Sequence, residues 1–362
     1  MNYRLAFIGF GTVGQGLAEI LLEKRALLKQ HYGFDYSVVA ISDTLKGSVY
    51  KEDGLELEKI MALVKESGKI DAYPMHSIRG TGIKGWDSIK TIRDTNADII
   101  IEVTYTDIKT GEPAITHIKT ALSNKKHVVT TNKGPIALAY KELSNLAKEN
   151  GVFLRFEGTV LSGTPSLNVG LEALAGIHIK EVKGILNGTT NYILTEMEKG
   201  RSYDEALKEA QTLGYAEAKP DADVEGWDAL AKIIIIANVL MGADIKVVDV
   251  ERKGITKLTL NDIEEAKREN KRWKLIARAW RDNTKIRAKV TPEKVSKDDF
   301  LASVSGVTNA LTFITDDLGE LTIVGPGAGR RETGFALLTD ILNIHMKDKT
   351  ISKSGSTGFQ PV

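Results

Sequence analysis

The sequence predicts an α/β protein, a doubly wound parallel sheet followed by an α+β domain. Three observations carry that prediction. Through the first half, short apolar runs alternate with helix-periodic segments, the pattern of strands joined by crossover helices. The first strand-to-helix turn holds glycines at 9, 11 and 14, the spacing of a Rossmann-type dinucleotide fold. Beyond Gly151 the strand-like runs lengthen and become half-exposed, with strongly helical segments between them.

In chain order, residues 4–8 form an apolar strand, GFGTVG a turn, and 15–30 a helix with Leu17, Ile20, Leu21 and Leu28 at helical spacing. A second strand at 37–41 ends in Ser42 and Asp43. A helix at 57–65 leads into a Gly-rich turn region, and 97–103 (ADIIIEV) is a third strand. Residues 113–123 are a helix opening on proline, 127–131 (HVVTT) a fourth strand, and 135–150 a helix stopped by Asn150-Gly151. In the second half 152–160, 178–186 and 285–293 read as strands, and 203–212, 226–241 and 263–278 as helices. Near the end, ELTIVGPGAGRRETGFALLTDIL gives a strand, a Gly-rich turn and a helix able to pack back on the first domain. The expected division is a nucleotide-binding domain at 1–134, a dimerisation or linking region at 135–156, a catalytic domain at 157–310, a return segment at 311–346 packing on the first region, and a frayed polar tail at 347–362.

Composition narrows the function. With 49 basic and 48 acidic residues in 362, the net charge of +1 gives no general pull toward nucleic acid or an anionic membrane. The apolar run at 233–243 falls well short of the roughly 20 residues that span a bilayer. The N-terminus reads as a strand with no signal-peptide pattern, so a cytoplasmic location is expected. No cysteine is present, which removes disulfides, thiolate metal sites and thiol nucleophiles. The six histidines are scattered without zinc-ligand spacing.

In GFGTVG, Gly9 allows a tight turn, Gly11 lets a pyrophosphate approach the backbone, and Gly14 lets helix and strand pack closely. Helix N-terminal amides then face the phosphates. Asp43 is placed to bind a ribose 2′-hydroxyl and to repel a 2′-phosphate, whereas Lys46 favours the phosphate, so NAD and NADP both remain open. Thr104 and Lys133 follow the third and fourth strands at the sheet edge that faces a ligand crevice.

The densest stretch is GYAEAKPDADVEGWDALAK at 214–232, where four acids and two lysines adjoin IIIIANVL. Asp228 and Lys232, at i and i+4, share a helix face. As a surface pair they contribute only about 0.3–0.5 kcal/mol. A rigid approach through Pro220 and Gly226 onto an otherwise apolar helix instead suits a site for a small zwitterion. Glu217, Asp223, Asp228 and Lys232 are expected to point inward, with Asp221 and Lys219 solvated. Hydride transfer between an alcohol and a carbonyl needs only the cofactor, a positioned carbonyl and a proton source, and a lysine can supply the proton.

The chain resembles the homoserine dehydrogenases, which interconvert aspartate 4-semialdehyde and homoserine. The resemblance covers nearly the whole length, through GFGTVG, TTNKGP at 130–135, GILNGTTNYIL at 184–194, DFLASVSGVTNAL at 299–311 and GPGAGRRETG at 325–334. Its most specific part runs from Ala210 through Gly214, Tyr215, Ala216 and Glu217 to Pro220, Asp223, Gly226, Asp228 and Lys232. Lys219 stands where the family often has Asp. The resemblance implies that Lys232 donates the proton, that Asp223 helps hold it, and that Glu217, Asp228 and Thr189 bind substrate. Lys133 would contact both substrate and cofactor. Phe10, Thr12, Val13, Thr104 and Gly329 would contact NAD or NADP, largely through backbone. A sodium ion is implied at Glu157, Val160, Ser162 and Thr164, whose oxygens suit a hard cation. It further implies a homodimer. Composition gives no expectation of a nucleic-acid or membrane partner, and with only a 16-residue tail after the last expected helix, feedback through an appended threonine-sensing domain is not expected. Two other readings stand beside the resemblance: a dehydrogenase of another small amino or hydroxy acid, and a non-catalytic nucleotide sensor.

Overall fold

The computed structural model describes residues 2–77 and 80–353. The chain divides into two compact units, Met1–Thr159 with Gly329–Val362, and Val160–Ala328.

The first unit is built on seven strands, β1 (Asn2–Ile8), β2 (Asp35–Asp43), β3 (Gly47–Tyr50), β6 (Ile83–Lys84), β7 (Ile99–Glu102), β8 (His127–Thr130) and β9 (Leu154–Arg155), with β4 (His76–Ser77) and β5 (Gly80–Thr81) paired as a separate ribbon. The order is β6-β3-β2-β1-β7-β8-β9. From β2 to β9 across the sheet the strands run parallel, and β3 and β6 turn back antiparallel at the far edge. Ile99, Ile100 and Ile101 are all fully buried because helices cover both faces, so the strand reads as a continuous apolar run. Helices α1 (Thr12–Leu27) and α2 (Leu57–Ser67) bury Leu17, Leu21 and Ile60 on one face. On the other, α3 (Ser88–Asp94), α4 (Ala114–Ser123) and α5 (Lys133–Asn150) bury Ile92, Ile118, Leu122 and Leu143. Chain order reverses direction between β1 and β7, and the GFGTVG turn and Thr104 leave the sheet at that switch point.

The second unit has a six-stranded sheet of β10 (Ile179–Ile185), β11 (Glu251–Arg252), β12 (Lys271–Asp282), β13 (Lys285–Ser296), β14 (Thr308–Thr315) and β15 (Glu320–Pro326) in the order β11-β13-β12-β10-β14-β15. It is antiparallel except where β11 joins β13. Its helices are α6 (Gly188–Glu198), α7 (Tyr203–Thr212), α8 (Asp221–Val224), α9 (Trp227–Leu240), α10 (Leu260–Arg268) and α11 (Phe300–Ser303). The last helix, α12 (Arg330–Lys353), returns to the first unit and packs on α1. Glycines make the crossing possible: a side chain on Gly16 would strike the Arg330 carbonyl, and one on Gly334 would lie 2.6 Å from the Leu17 nitrogen. Arg330 and Arg331 then pair with Glu19 and Glu23 of α1.

Several expectations need correction. Residues 263–278 are not one helix. Helix α10 ends before Asn270, which takes a left-handed φ of 58°, and Lys271 opens the long strand β12. Ala, Arg, Lys and Leu made KRWKLIARAW look helical, but its pairing along all of β13 outweighs propensity. Residues 152–160 are not a strand of the second domain. Only Leu154–Arg155 is extended, it joins the first sheet beside β8, and a 3-10 turn at Glu157–Thr159 follows. Residues 135–156 are therefore part of the first unit, supplying α5 and β9. The segment expected to return after 310 first supplies β14 and β15 to the second sheet, and the return begins at Gly329. Helix α12 continues to Lys353, past the expected start of the tail at 347, and 354–362 lie outside the described residues, as do 78–79 of the Gly-rich region.

Candidate active site

The first unit carries the features suited to a nucleotide. Gly9 has φ 90°, and a Cβ there would sit 2.6 Å from the Val103 carbonyl oxygen, so the turn requires glycine. A Cβ on Gly14 would lie 3.1 Å from the Gly9 oxygen, which lets α1 start tight against the strand. Gly11 is different, because a Cβ there would meet nothing within 4 Å. It caps α1 without any side-chain bond, and the first turn, Thr12, Val13 and Gly14, carries no acid. The first amides of a helix have no intrahelical acceptor, so this open N-terminus fits phosphate oxygens. The residues present therefore suit a dinucleotide.

Asp43 closes the same turn from β2. Its Oδ2 accepts from the Phe10 N–H at 2.7 Å, and its Oδ1 accepts from the Leu45 and Lys46 N–H groups, each at 2.9 Å. Burial pushes the carboxyl up, but these three donors outweigh it and hold it below the usual Asp value. Phe10 is consequently committed within the protein. Its side chain is fully buried, its N–H goes to Asp43, and its carbonyl accepts from Gln15. Thr104 follows β7 and is half-buried, and Gly329, with φ 135°, precedes α12. Lys133 was expected on a turn before a helix starting at 135. It is instead the first residue of α5, capped by Asn132, whose Oδ1 accepts from the Gly134 N–H.

The second unit carries the buried lysine and its carboxylates. Gly226, left-handed at φ 79°, breaks α8 from α9 and aims the first turn of α9. Ile233, Ile234, Ile235 and Ile236 are fully buried, which fixes the rotation of that helix. Lys232 is itself only 6% exposed. Its Nζ lies 2.8 Å from Asp228 Oδ2 and donates to the Leu186 carbonyl at 2.6 Å. This is no surface ion pair, since the side chains of Lys232 and Asp228 retain only 8% and 17% of their exposure.

Asn187 joins the group together. It caps α6 by accepting from the Thr190 N–H, while its Nδ2 donates to Asp223 Oδ1 at 2.7 Å and Asp228 Oδ2 at 3.1 Å. No role was expected for Asn187, although an Asn at the head of NGTT is a helix-cap signal. The Leu186 carbonyl had no signal in the sequence at all. Thr189 donates to the Tyr215 carbonyl at 2.6 Å and reaches Asp223. Two expected placements change. Asp228, rather than Asp223, directly contacts Lys232, and Asp223 joins them through Asn187. Glu217 points outward, because it sits on the irregular stretch after Gly214, where only Ala216 is buried. Asp221 and Lys219 are exposed, as expected.

Burial first, and then the charge of Asp228, push the Asp223 carboxyl above its ordinary value, against the pull of Asn187, Lys232 and Thr189. A raised acid stabilises the fold below its unfolded pKa of 3.8, and that contribution is lost as pH rises through the folded value. Asp223→Asn is therefore expected to melt higher than wild type at pH 7, with the gain shrinking toward pH 4. Melting curves across that range check it, and an equal difference at both ends would contradict it.

Of the residues matched to a cation site, Glu157 belongs to the first unit, is 2% exposed, and donates its N–H to Asp340 Oδ2 at 2.9 Å. Val160, Ser162 and Thr164 open the second unit and are buried, Ser162 with φ 52° and Thr164 donating to the Pro326 carbonyl at 3.0 Å. Among the described residues no group of three or more His, Asp or Glu side chains could hold a metal. None of the described helices is long and apolar enough to cross a membrane.

A glycine-shaped nucleotide turn in the first unit and, in the second, a buried lysine beside carboxylates are each features that a nicotinamide-dependent oxidoreductase uses. Family models agree on both units: one described as the homoserine dehydrogenase NAD-binding domain matches residues 9–157, and one described as homoserine dehydrogenase matches 165–342. The NAD(+)-dependent homoserine dehydrogenase of Pseudomonas canavaninivorans is 46% identical over 347 residues, covering 95% of this chain and 96% of that protein. The homoserine dehydrogenase of Methanocaldococcus jannaschii is 43% identical, covering 95% and 99%. A hyperthermophilic archaeal homoserine dehydrogenase solved in complex with NADPH superposes with a TM-score of 0.80 at 32% identity, covering 96% and 98%. The chain belongs to the homoserine dehydrogenase family, the oxidoreductases that exchange L-aspartate 4-semialdehyde and L-homoserine with NAD(P).

Proposed function

We propose that Lys232 is the proton donor and acceptor of this reaction. The observation that carries it is the lysine's environment. An ammonium has three N–H donors; one faces Asp228 and one the Leu186 carbonyl, which leaves one for a substrate oxygen. During reduction Lys232 gives a proton to the aldehyde oxygen as hydride reaches the carbonyl carbon, and it recovers that proton from the homoserine hydroxyl in reverse. The nicotinamide nucleotide supplies or accepts the hydride when bound. Asp228 holds Lys232 in place. Asp223 and the exposed Glu217 receive the substrate ammonium, and Thr189 orders the loop at Tyr215. Lys133 is assigned to the meeting of nucleotide and substrate. Gly9, Phe10, Gly11, Thr12, Val13, Gly14, Thr104 and Gly329 shape the nucleotide side.

Asp43 favours NAD, because three N–H donors keep it ionised where a 2′-phosphate would come. We expect kcat/KM with NAD to exceed that with NADP by about tenfold or more, the size of roughly 1.4 kcal/mol. Side-by-side steady-state rates test this, and a preference for NADP would contradict it.

A sodium ion at Glu157, Val160, Ser162 and Thr164 is supported by the burial of Glu157 and the left-handed turn at Ser162. Homodimerisation is supported by β15, an edge strand whose Val324 is exposed. A cytoplasmic place in threonine, methionine and isoleucine synthesis accords with this chemistry and with a chain free of cysteine. Light scattering of the purified protein at the mass of one chain would refute the dimer.

A further inference from the structure

Glu102, the last residue of β7, is fully buried. A carboxylate removed from water is costly unless its oxygens are satisfied. Among the described residues its only ion-pair candidate is His117, whose Nδ1 lies 3.5 Å away and whose Nε2 is 2.7 Å from Ser88 Oγ. Its other partners are all donors from the two turns that leave the sheet at the switch point. Oε1 accepts from the Thr104 hydroxyl and, at 3.2 Å, from the Thr104 N–H. Oε2 accepts from the Thr130 hydroxyl at 3.1 Å. Thr130 Oγ1 in turn accepts from the Asn132 N–H at 3.0 Å, and Asn132 Nδ2 donates to the Tyr105 carbonyl at 3.0 Å. Asn132 caps α5 immediately before Lys133.

We propose that Glu102 is a positioning residue for the reaction, fixing Lys133 by tying the exits of β7 and β8 together through Thr104, Thr130 and Asn132. The proposal rests on the reading of Lys133 given above. Only a group that accepts on both oxygens satisfies this arrangement. An amide at 102 turns one oxygen into a donor, so Thr130 Oγ1 must accept from two sides while its own proton loses its acceptor. The link to Asn132 loosens, and Lys133 loosens with it.

The test compares wild type, Glu102→Gln, Lys133→Ala and the double variant in homoserine oxidation, with nucleotide affinity and melting temperature read on each. Glu102→Gln is expected to lower kcat about 10- to 100-fold, the cost of a misplaced group, while nucleotide Kd moves less than about twofold. On the Lys133→Ala background the same change is expected to add little, because its effect passes through Lys133. Losses that multiply across the two sites, or an unchanged kcat in Glu102→Gln, would overturn the proposal. Full activity of Lys133→Ala would instead strike the reading of Lys133, and the proposal with it. If Glu102→Gln folds poorly, Thr130→Val breaks the same link at its other end and is expected to give the same coupling.

Discussion

Replacing Lys232 by alanine is expected to lower kcat by about three to four orders of magnitude, near the upper range for losing a general acid, with nucleotide affinity within about twofold of wild type. The expectation follows from where the lysine sits. It belongs to α9 of the second unit, while the glycine turn that shapes the nucleotide side belongs to the first. Its loss also leaves Asp228 half-buried without its cation, which costs stability, so rates are to be taken well below the variant's melting temperature. Lys232→Arg separates charge from geometry. A guanidinium keeps the ion pair but does not release a proton at working pH, so it is expected to restore stability and not turnover. A nucleotide sensor without catalysis predicts no turnover to lose, and wild-type rates in Lys232→Ala would contradict the assignment of the proton donor.

The second large effect separates two neighbouring glycines. Gly11→Ala is expected to leave the melting temperature nearly unchanged, since its φ of −77° suits any residue and a Cβ there meets nothing within 4 Å. The methyl group would instead occupy the space into which the phosphates come, and nucleotide Kd is expected to rise about 10- to 100-fold, or roughly 1.4–2.8 kcal/mol. Gly9→Ala should behave in the opposite way. With φ at 90° and the Val103 carbonyl 2.6 Å from the new carbon, it is expected to cost about 2–4 kcal/mol of stability through strain and overpacking. Calorimetry and a nucleotide titration on the two variants decide the matter. Equal melting losses would show that Gly11 serves the fold rather than the ligand.

The nucleotide unit was largely legible because its signals are local. Strands buried on both faces read as runs such as ADIIIEV, and the glycine roles depend on backbone conformation within a few residues. The second unit was harder, and the stretch 263–278 shows why. A strand such as β12, built of helix-forming residues, is decided by its partner β13 across a short turn, and only Asn270 and Asn283, both left-handed, marked its ends. The site followed the same rule. The pair Asp228 and Lys232 was visible as an i, i+4 spacing, but the Leu186 carbonyl and Asn187 lie in the turn between β10 and α6, about forty residues away in the chain. No periodicity signals a backbone carbonyl. The exposure of Glu217 has a related cause: it lies on an irregular stretch between two left-handed glycines, Gly214 and Gly226, so closeness in sequence to α9 does not give it that helix's burial.

The mechanism proposed for this chain is direct hydride exchange at the carbon that carries the homoserine hydroxyl, with Lys232 moving the proton. Oxidation of L-homoserine deuterated at C4, followed by mass spectrometry of the nicotinamide product, tests it most directly. One deuterium per turnover is expected in the reduced nucleotide for wild type, and no labelled nucleotide for Lys232→Ala on the same timescale. Deuterium appearing in solvent instead, or no reduced nucleotide formed from homoserine by the wild-type protein, would contradict the account.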